Sequence, residues 1–192
     1  MRIGVSGTHG VGKSTLAAGL RECLPDHVVA DEPYDVLVER GHEFGFPPST
    51  DDLRVLIEFT VRSLVASRDP HVIFDRTPLD YLAYLTALGA DPADAVAADP
   101  LRAAFATVDI LVIVPISAAA DALLPAPALP ALRSAANDAL LTLAYDDPFD
   151  AWPDTPILEL DAPLPDRLGQ ALRAIRQIAT DTRSRTPTTA AP

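Results

Sequence analysis

The chain has 192 residues, of which 48% are hydrophobic and 22% charged, enough to bury a full core in a single domain. Its formal net charge of −12 disfavours binding to nucleic acids or anionic membranes by general electrostatics, but is compatible with a small local anion pocket. The single cysteine, Cys23, excludes an intramolecular disulfide and a cysteine-rich metal site.

Hydrophobic periodicity and turn residues divide the chain into alternating strands and helices. Ser49 or Thr50 is expected to cap one helix, and Pro78 and Gly89 to bound another. In chain order, the predicted elements are strand 2–6, helix 13–24, strand 27–31, helix 34–44, helix 51–68, strand 71–75, helix 79–88, one or two short helices within 91–108, strand 109–116, strand 155–161 and helix 165–179.

This alternation predicts an α/β fold, a three-layer α/β/α sandwich around a mostly parallel five-stranded sheet. The run 109–116 is apolar on both faces, which is typical of a strand inside a parallel sheet. The run 27–31 is also expected to be a buried strand. The segment 115–130 is rich in alanine and proline, and we interpret it as a mobile insertion within a lid of about 115–145. The domain is expected to span 1–180. Residues 181–192 have no apolar periodicity, so we expect a disordered tail there.

Residues 7–14, GTHGVGKS, match the phosphate-loop pattern G-x-x-x-x-G-K-[ST] between a predicted strand and a predicted helix. Glycines let the backbone curl its N–H groups around an anion, and the helix N-terminus adds positive potential. Lys13 is the only lysine among 15 basic residues, and a compact ammonium fits such a loop better than the planar fork of arginine. The residues predicted to bind ATP are Gly7, Thr8, His9, Gly10, Val11, Gly12, Lys13, Ser14 and Thr15, with the Ser14 hydroxyl on Mg²⁺.

Charged side chains follow the second and third predicted strands. Glu32 follows strand 27–31, and Asp75 and Arg76 stand at the end of strand 71–75. Ligands of parallel α/β sheets bind beyond the carboxyl ends of the strands, so these groups are expected in one crevice with the phosphate loop. From the residues alone, Asp31 remains an alternative to Glu32 as the functional acid.

The segments GTHGVGKST (7–15), DEPYDVL (31–37) and DRTPLDYLAYL (75–85), in this order, resemble the P-loop kinase superfamily. The most similar branches are the deoxynucleoside kinases, the thymidylate kinases and the nicotinamide-riboside-kinase-like domains of AAA type. In the deoxynucleoside kinases a Glu-Pro pair supplies the general base, and Glu32-Pro33 matches that pair. Their acidic-Arg-Ser motif holds Mg²⁺ and steadies the acceptor, and Asp75-Arg76-Thr77 is similar, with Asp and Thr as departures. The resemblance covers about residues 1–116, and the remainder follows only by strand order.

The resemblance implies a Mg²⁺-dependent kinase that transfers the γ-phosphoryl group of ATP to a nucleoside, nucleotide or similar acceptor. It implies catalytic roles for Lys13, Glu32, Asp75 and Arg76, with Ser14 and Asp75 holding the metal. Such kinases close an arginine-bearing lid, and Arg133 is the arginine within 115–145, so it is assigned to that role, with Arg102 as the next candidate. The segment 161–165 has the position of an adenine-binding loop. Candidates to stack on a base are Tyr34, Phe44, Phe46, Tyr81 and Tyr84.

Two other functions remain open from the sequence: an ATPase that drives a partner as a nucleotide-dependent switch, and a nucleotide-binding module with negligible turnover. Arg76 could also pair structurally with Asp80 or Glu32.

No apolar run approaches the roughly 20 residues that cross a bilayer, and Met1 leads directly into a strand, so we expect a cytoplasmic protein. The expected partners are ATP and a small acceptor, with no nucleic acid and no membrane. Exposed faces of helices 51–68 and 79–88 leave a homodimer open.

Overall fold

The computed structural model describes residues 1–185, apart from the side chains of residues 164 and 181–185. The strands are β1 (Arg2–Ser6), β2 (Val28–Ala30), β3 (Val72–Asp75), β4 (Ile110–Ile113) and β5 (Ile157–Glu159). The helices are α1 (Lys13–Cys23), α2 (Pro33–Glu39), α3 (Thr50–Ala66), α4 (Pro78–Ala87), α5 (Ala98–Phe105), α6 (Ala118–Asp121), α7 (Pro130–Asp146) and α8 (Arg167–Arg185), with 3₁₀ turns at Pro92–Asp94 and Leu164–Asp166.

The five strands form one sheet in the order β2-β3-β1-β4-β5, and every neighbouring pair is parallel. This confirms the predicted α/β architecture, with the loop that follows β1 at the centre of the carboxyl edge. Strand β4 lies inside the sheet, as its apolar sequence predicts. The prediction of a buried second strand is wrong: β2 is an edge strand, and Val28 is 45% exposed.

Side chains alternate between the two faces of the sheet and form two hydrophobic cores. On one face, Phe74 of β3 and Ile113 of β4 pack with helices α3, α4, α5 and α7. On the other face, Ile3 of β1 and Val112 of β4 pack with α1 and α8. The sheet is therefore the middle layer of a three-layer sandwich.

Capping residues fix the starts of the two helices that flank the site. Ser49 caps α3 by accepting the N–H of Asp52 at 3.1 Å, which decides between the two predicted caps. Thr77 caps α4, and the Thr77 N–H in turn donates to the Asp80 carboxylate at 3.0 Å. Within the described residues, no helix is long and apolar enough to cross a membrane.

The segment predicted as a lid divides into two parts. Residues 115–129 contain the short helix α6 and a loop, whereas α7 is a long helix that packs against α4. Ala136 and Leu140 of α7 are almost fully buried. From Pro130 onward, the segment predicted as part of the lid is thus a helix packed into the core.

The predicted tail starts at residue 181, but helix α8 continues to Arg185. The rest of that tail, residues 186–192, lies outside the described residues.

Replacing Leu64 by alanine is expected to lower the free energy of unfolding by about 2–5 kcal/mol, because this α3 side chain is 1% exposed in the core. The neighbouring Val65 is 49% exposed, so Val65→Ala serves as the matched control and should cost less than about 1 kcal/mol. Urea unfolding of both variants measures the difference. Equal losses would contradict the packing of α3 against the sheet.

Candidate active site

The phosphate loop joins β1 to α1, and its glycines take conformations that other residues avoid. Gly10 and Gly12 have φ values of 69° and 89°, and Gly12 is the N-cap of α1. Gly7 is needed for a different reason: a Cβ there would lie 2.5 Å from the backbone oxygen of Val114. The loop is curled as the sequence motif predicts.

Lys13 lies beneath the loop, and its Nζ donates to the backbone oxygen of Thr8 at 2.7 Å. The residue is 5% exposed. Burial, and then the nearby charge of Arg76, lowers the pKa of Lys13 to about 7. A bound polyanion would oppose this effect, because an adjacent negative charge favours the protonated amine.

Two amides of the loop are already bonded to helix α4. The Gly7 N–H donates to Oδ1 of Asp80 at 2.9 Å, and the His9 N–H donates to the Tyr84 hydroxyl at 2.9 Å. The His9 ring also contacts the Tyr84 hydroxyl through Nδ1, at 2.6 Å, and the Ala128 carbonyl through Nε2, at 2.5 Å. Burial lowers the pKa of His9, consistent with a neutral ring that donates from Nε2 and accepts at Nδ1. These bonds fix the loop against α4 and the segment before α7.

Arg76 occupies the centre of a charged cluster at the end of β3. Its Nε donates to Oε1 of Glu32 at 2.6 Å, and its Nη1 lies 3.3 Å from Oδ1 of Asp80. Burial alone lowers the pKa of Arg76, but the oxygen atoms of Tyr81, Asp80 and Glu32 outweigh it and raise that pKa. The backbone of Arg76 has a φ of 92°, a conformation that costs a non-glycine residue of order 1–3 kcal/mol. The cluster therefore holds a charged and strained arginine in place.

Glu32 caps α2 and turns its carboxylate toward this cluster. Its Oε1 accepts from Arg76 and also from the Tyr81 hydroxyl at 3.2 Å. Its Oε2 has a longer bond, 3.3 Å, from the Asp35 N–H. Of the two acids left open by the sequence, it is Glu32 rather than Asp31 that lines the cavity described below.

Asp80 is a site residue that sequence reasoning considered only as an ion-pair partner. Its side chain is fully buried, and it connects three groups: the Gly7 amide, the Thr77 amide and the Arg76 guanidinium. The signal in the sequence is its place three residues after the cap Thr77, which is where a capping box needs an acid. The contact with the phosphate loop follows only from the packing of α4.

Asp75 ends β3 with its side chain inside the protein. The residue is 7% exposed, and its Oδ1 is buried with no hydrogen-bond partner among the described residues. Such an oxygen suits a cation, because a buried carboxylate needs a partner. In the described part of the chain, no cluster of three or more His, Cys, Asp or Glu side chains could hold a metal by itself. The carboxylate of Asp75 fits Mg²⁺, which takes one or two protein ligands together with phosphates and water.

A cavity of about 460 Å³ opens beside the loop and is lined by four of the five predicted catalytic residues, all except Arg133. Its polar lining residues are His9, Lys13, Ser14, Glu32, Asp35, Asp75 and Arg76. The rest of its wall is largely apolar and aromatic, formed by Tyr34, Phe46, Leu53, Leu56, Tyr81, Tyr84, Leu88 and Leu132. Four of the five predicted stacking aromatics are therefore at the cavity; the fifth, Phe44, stacks on Tyr34 at 4.4 Å between ring centroids.

Arg133 does not line this cavity. It is 4% exposed, and its guanidinium contacts the backbone oxygens of His9 and Gly10 and the carboxylate of Asp121. The sequence-based expectation was an arginine that closes over the phosphates. The structure instead gives its side chain contacts with loop carbonyls, because α7 is a core helix and not a free lid.

The chain belongs to the AAA domain family, whose model matches residues 2–123. No curated protein matches the chain by sequence. Among solved structures, a deoxyadenosine kinase from M. mycoides with the products dCMP and dCDP is 14% identical, with a TM-score of 0.63 over 92% of this chain and 100% of that chain. NadR protein in complex with NAD and AMP-PNP is 19% identical, with a TM-score of 0.64 over 93% of this chain and 49% of that chain. These similarities confirm the P-loop kinase fold.

Replacing Gly7 by alanine is expected to lower the free energy of unfolding by about 1–3 kcal/mol, because the new methyl group would overlap the Val114 carbonyl. Gly169→Ala is the control: its Cβ meets only the flexible end of Arg173, at 3.4 Å, and alanine favours a helix. Urea denaturation measures both. If Gly7→Ala were as stable as the parent, the close approach of the loop to Val114, the residue after β4, would be wrong.

Proposed function

We propose that the protein is a Mg²⁺-dependent kinase that transfers the γ-phosphoryl group of ATP to the hydroxyl of a small acceptor, such as a nucleoside, a nucleotide or a similar compound. The observation that carries the proposal is the single cavity that joins the phosphate loop, an acid–arginine pair and an apolar aromatic wall. Polar lining residues that can hold phosphates and apolar lining residues that can hold a ring system match the two substrates of such a reaction.

The triphosphate would bind at the loop amides that are not engaged by α4, at the N-terminus of α1 and at Lys13. Ser14 and Asp75 would hold Mg²⁺. When bound, the metal neutralises charge on the β- and γ-phosphoryl oxygens. Ser14 is the second residue of α1 and lines the cavity, which supports a role next to the phosphates.

The acceptor hydroxyl would attack the γ-phosphorus while the bond to the bridging oxygen of ADP breaks. Glu32 would take the hydroxyl proton, and Oε2 is the better candidate atom because Oε1 already accepts two bonds. Arg76 would stabilise charge on the transferring group, and its fixed position avoids reorganisation at the moment of reaction. Placement and electrostatics supply most of the catalysis in this class of reaction.

An ATPase or switch function would keep the loop and the metal site but would not need an apolar wall. The aromatic and leucine side chains of the cavity therefore support an acceptor. The similar solved structures contain dCMP and dCDP, or AMP-PNP together with NAD, in their own sites. Their fold supports a kinase function here, while the acceptor has to come from experiment.

Replacing Lys13 by alanine is expected to weaken ATP binding by about tenfold or more, because a charge-assisted contact to the phosphates is lost. Lys13→Arg should also weaken binding, since the site is 5% exposed and shaped for a compact ammonium. Arg21→Ala, at an exposed position on the same helix, is the control. Calorimetric titration with Mg²⁺·ATP measures the affinities. Parent-like affinity of both Lys13 variants would refute the nucleotide site.

Replacing Glu32 by glutamine is expected to reduce phosphoryl transfer by about 10²–10⁴-fold, because the general base is removed. Its affinity for ATP should remain near that of the parent. The acceptor is first identified by a thermal-shift screen of nucleosides, nucleotides and cofactor precursors with a non-hydrolysable ATP analogue, and turnover is then measured as ADP formation.

Glu39→Gln, on the exposed end of the same helix, is the matched control for that variant. A comparable loss of ATP affinity would instead make Glu32 a structural or metal-binding residue. ADP formation at a rate independent of every acceptor would favour the ATPase function.

A further inference from the structure

Two buried arginines lie against the phosphate loop without lining the cavity. Arg133 comes from α7 and Arg167 from the start of α8, and they are 4% and 3% exposed. Both are far from the loop in sequence. Their burial therefore needs a reason, because an arginine is rarely buried unless its donors are bonded.

The donors of these arginines bind three successive carbonyls of the loop. Arg133 donates from Nε to the His9 oxygen at 2.9 Å and from Nη2 to the Gly10 oxygen at 3.4 Å. Arg167 donates from Nη1 to the Val11 oxygen at 3.0 Å. The carbonyl side of the loop is thus bonded to guanidinium groups along residues 9–11.

These contacts bear on the amides of the same peptides. The N–H and C=O of a peptide unit point in opposite directions, so fixing a carbonyl on the outside turns the amide of the next residue toward the inside. A loop carbonyl that lost its guanidinium donor would have to find another partner, which gives the loop a reason to rearrange. The two arginines therefore favour the curled form of the loop.

Each arginine also bonds to groups outside the phosphate loop. Arg133 forms a two-pronged ion pair with Asp121, at 3.0 and 2.7 Å. In the described part of the chain, Arg167 contacts only neutral oxygens, which besides Val11 belong to Ala162, Pro115 and Ser117. Ala162 follows β5, and Pro115 and Ser117 follow β4. The positive charge of Arg167 is thus not cancelled by a carboxylate in contact and adds to a field that favours an anion.

We propose that Arg133 and Arg167 are positioning residues that hold the carbonyls of residues 9–11 outward and so keep the loop amides aimed at a triphosphate. The inference rests on the proposed function only in assuming that the loop binds a triphosphate. It assigns Arg133 to ground-state binding, whereas an arginine in a closing lid would act on the transition state. The two roles differ in what a substitution changes: affinity in the first case and turnover in the second.

The test uses Arg133→Ala and Arg167→Ala in the full chain, titrated with inorganic triphosphate and with Mg²⁺·ATP well below the melting temperature of each variant. Each variant is expected to bind both ligands about tenfold or more weakly, since a donor to the loop is lost. Arg176→Ala, at an exposed position on α8, is the control and should bind like the parent. A purely structural role would lower the melting temperature and leave the affinity of the folded protein unchanged.

Lysine variants cover the case in which an alanine variant fails to fold. Arg133→Lys and Arg167→Lys keep the charge, but a single ammonium cannot reach the oxygens that the guanidinium spans. They are expected to bind triphosphate more weakly than the parent. Folded variants with parent-like affinity, or a loss confined to turnover, would overturn the inference.

Hydrogen exchange in the ligand-free protein separates this inference from the proposed function. The amides of Gly10, Val11 and Gly12 should exchange faster in the arginine variants than in the parent and in Arg176→Ala. If the parent bound no triphosphate but the variants showed this faster exchange, the proposed function would fail and the positioning role would stand. Unchanged exchange together with unchanged affinity would refute the positioning role.

Discussion

The geometry of the site depends on one buried carboxylate, that of Asp80. It accepts the Gly7 amide of the phosphate loop, caps the helix that follows β3, and lies beside Arg76. Removing one partner from such a buried group leaves an uncompensated charge, typically at a cost of about 3–5 kcal/mol. The carboxylate therefore links the end of β1 to the end of β3, and through Arg76 it also fixes Glu32 on α2. Phosphate loop, acid and arginine are positioned as a unit.

The sequence predicted the parts of the fold whose causes are local. Strand β1, the loop and α1 follow from a motif whose glycines, lysine and helix start all favour a curled, anion-binding loop. The edge position of β2 could not be predicted, because the apolar run 27–31 is the same whether its outer side is covered by another strand or by solvent. The packing of α7 was missed because an alanine-rich segment carries little hydrophobic periodicity, although Ala136 and Leu140 are almost fully buried.

The site shows the same division. Glu32, Asp75 and Arg76 could be predicted to lie together beside the loop because the ends of parallel strands converge at one edge, a rule that needs only the order of elements. The orientation of a helix about its own axis needs side-chain packing, which one sequence does not determine. That is why the sequence does not distinguish the roles of Tyr81 and Tyr84, whereas in the structure Tyr81 bonds Glu32 and Tyr84 bonds His9. For the same reason the sequence leads to an expected position of Arg133 over the phosphates, whereas in the structure it contacts the loop carbonyls of His9 and Gly10.

A net charge of −12 at first argues against binding a polyanion such as ATP. The contradiction disappears when the positions of the charges are considered. Exposed carboxylates are screened over about 8–10 Å at physiological ionic strength, whereas charges buried near a cavity act in a medium of lower dielectric constant. Lys13, Arg133 and Arg167 are each at most 5% exposed and all contact the phosphate loop. The local field at the loop is therefore set by buried groups and oriented amides, with Asp121 offsetting Arg133 and Asp80 offsetting Arg76, and the acidic surface leaves it largely unchanged.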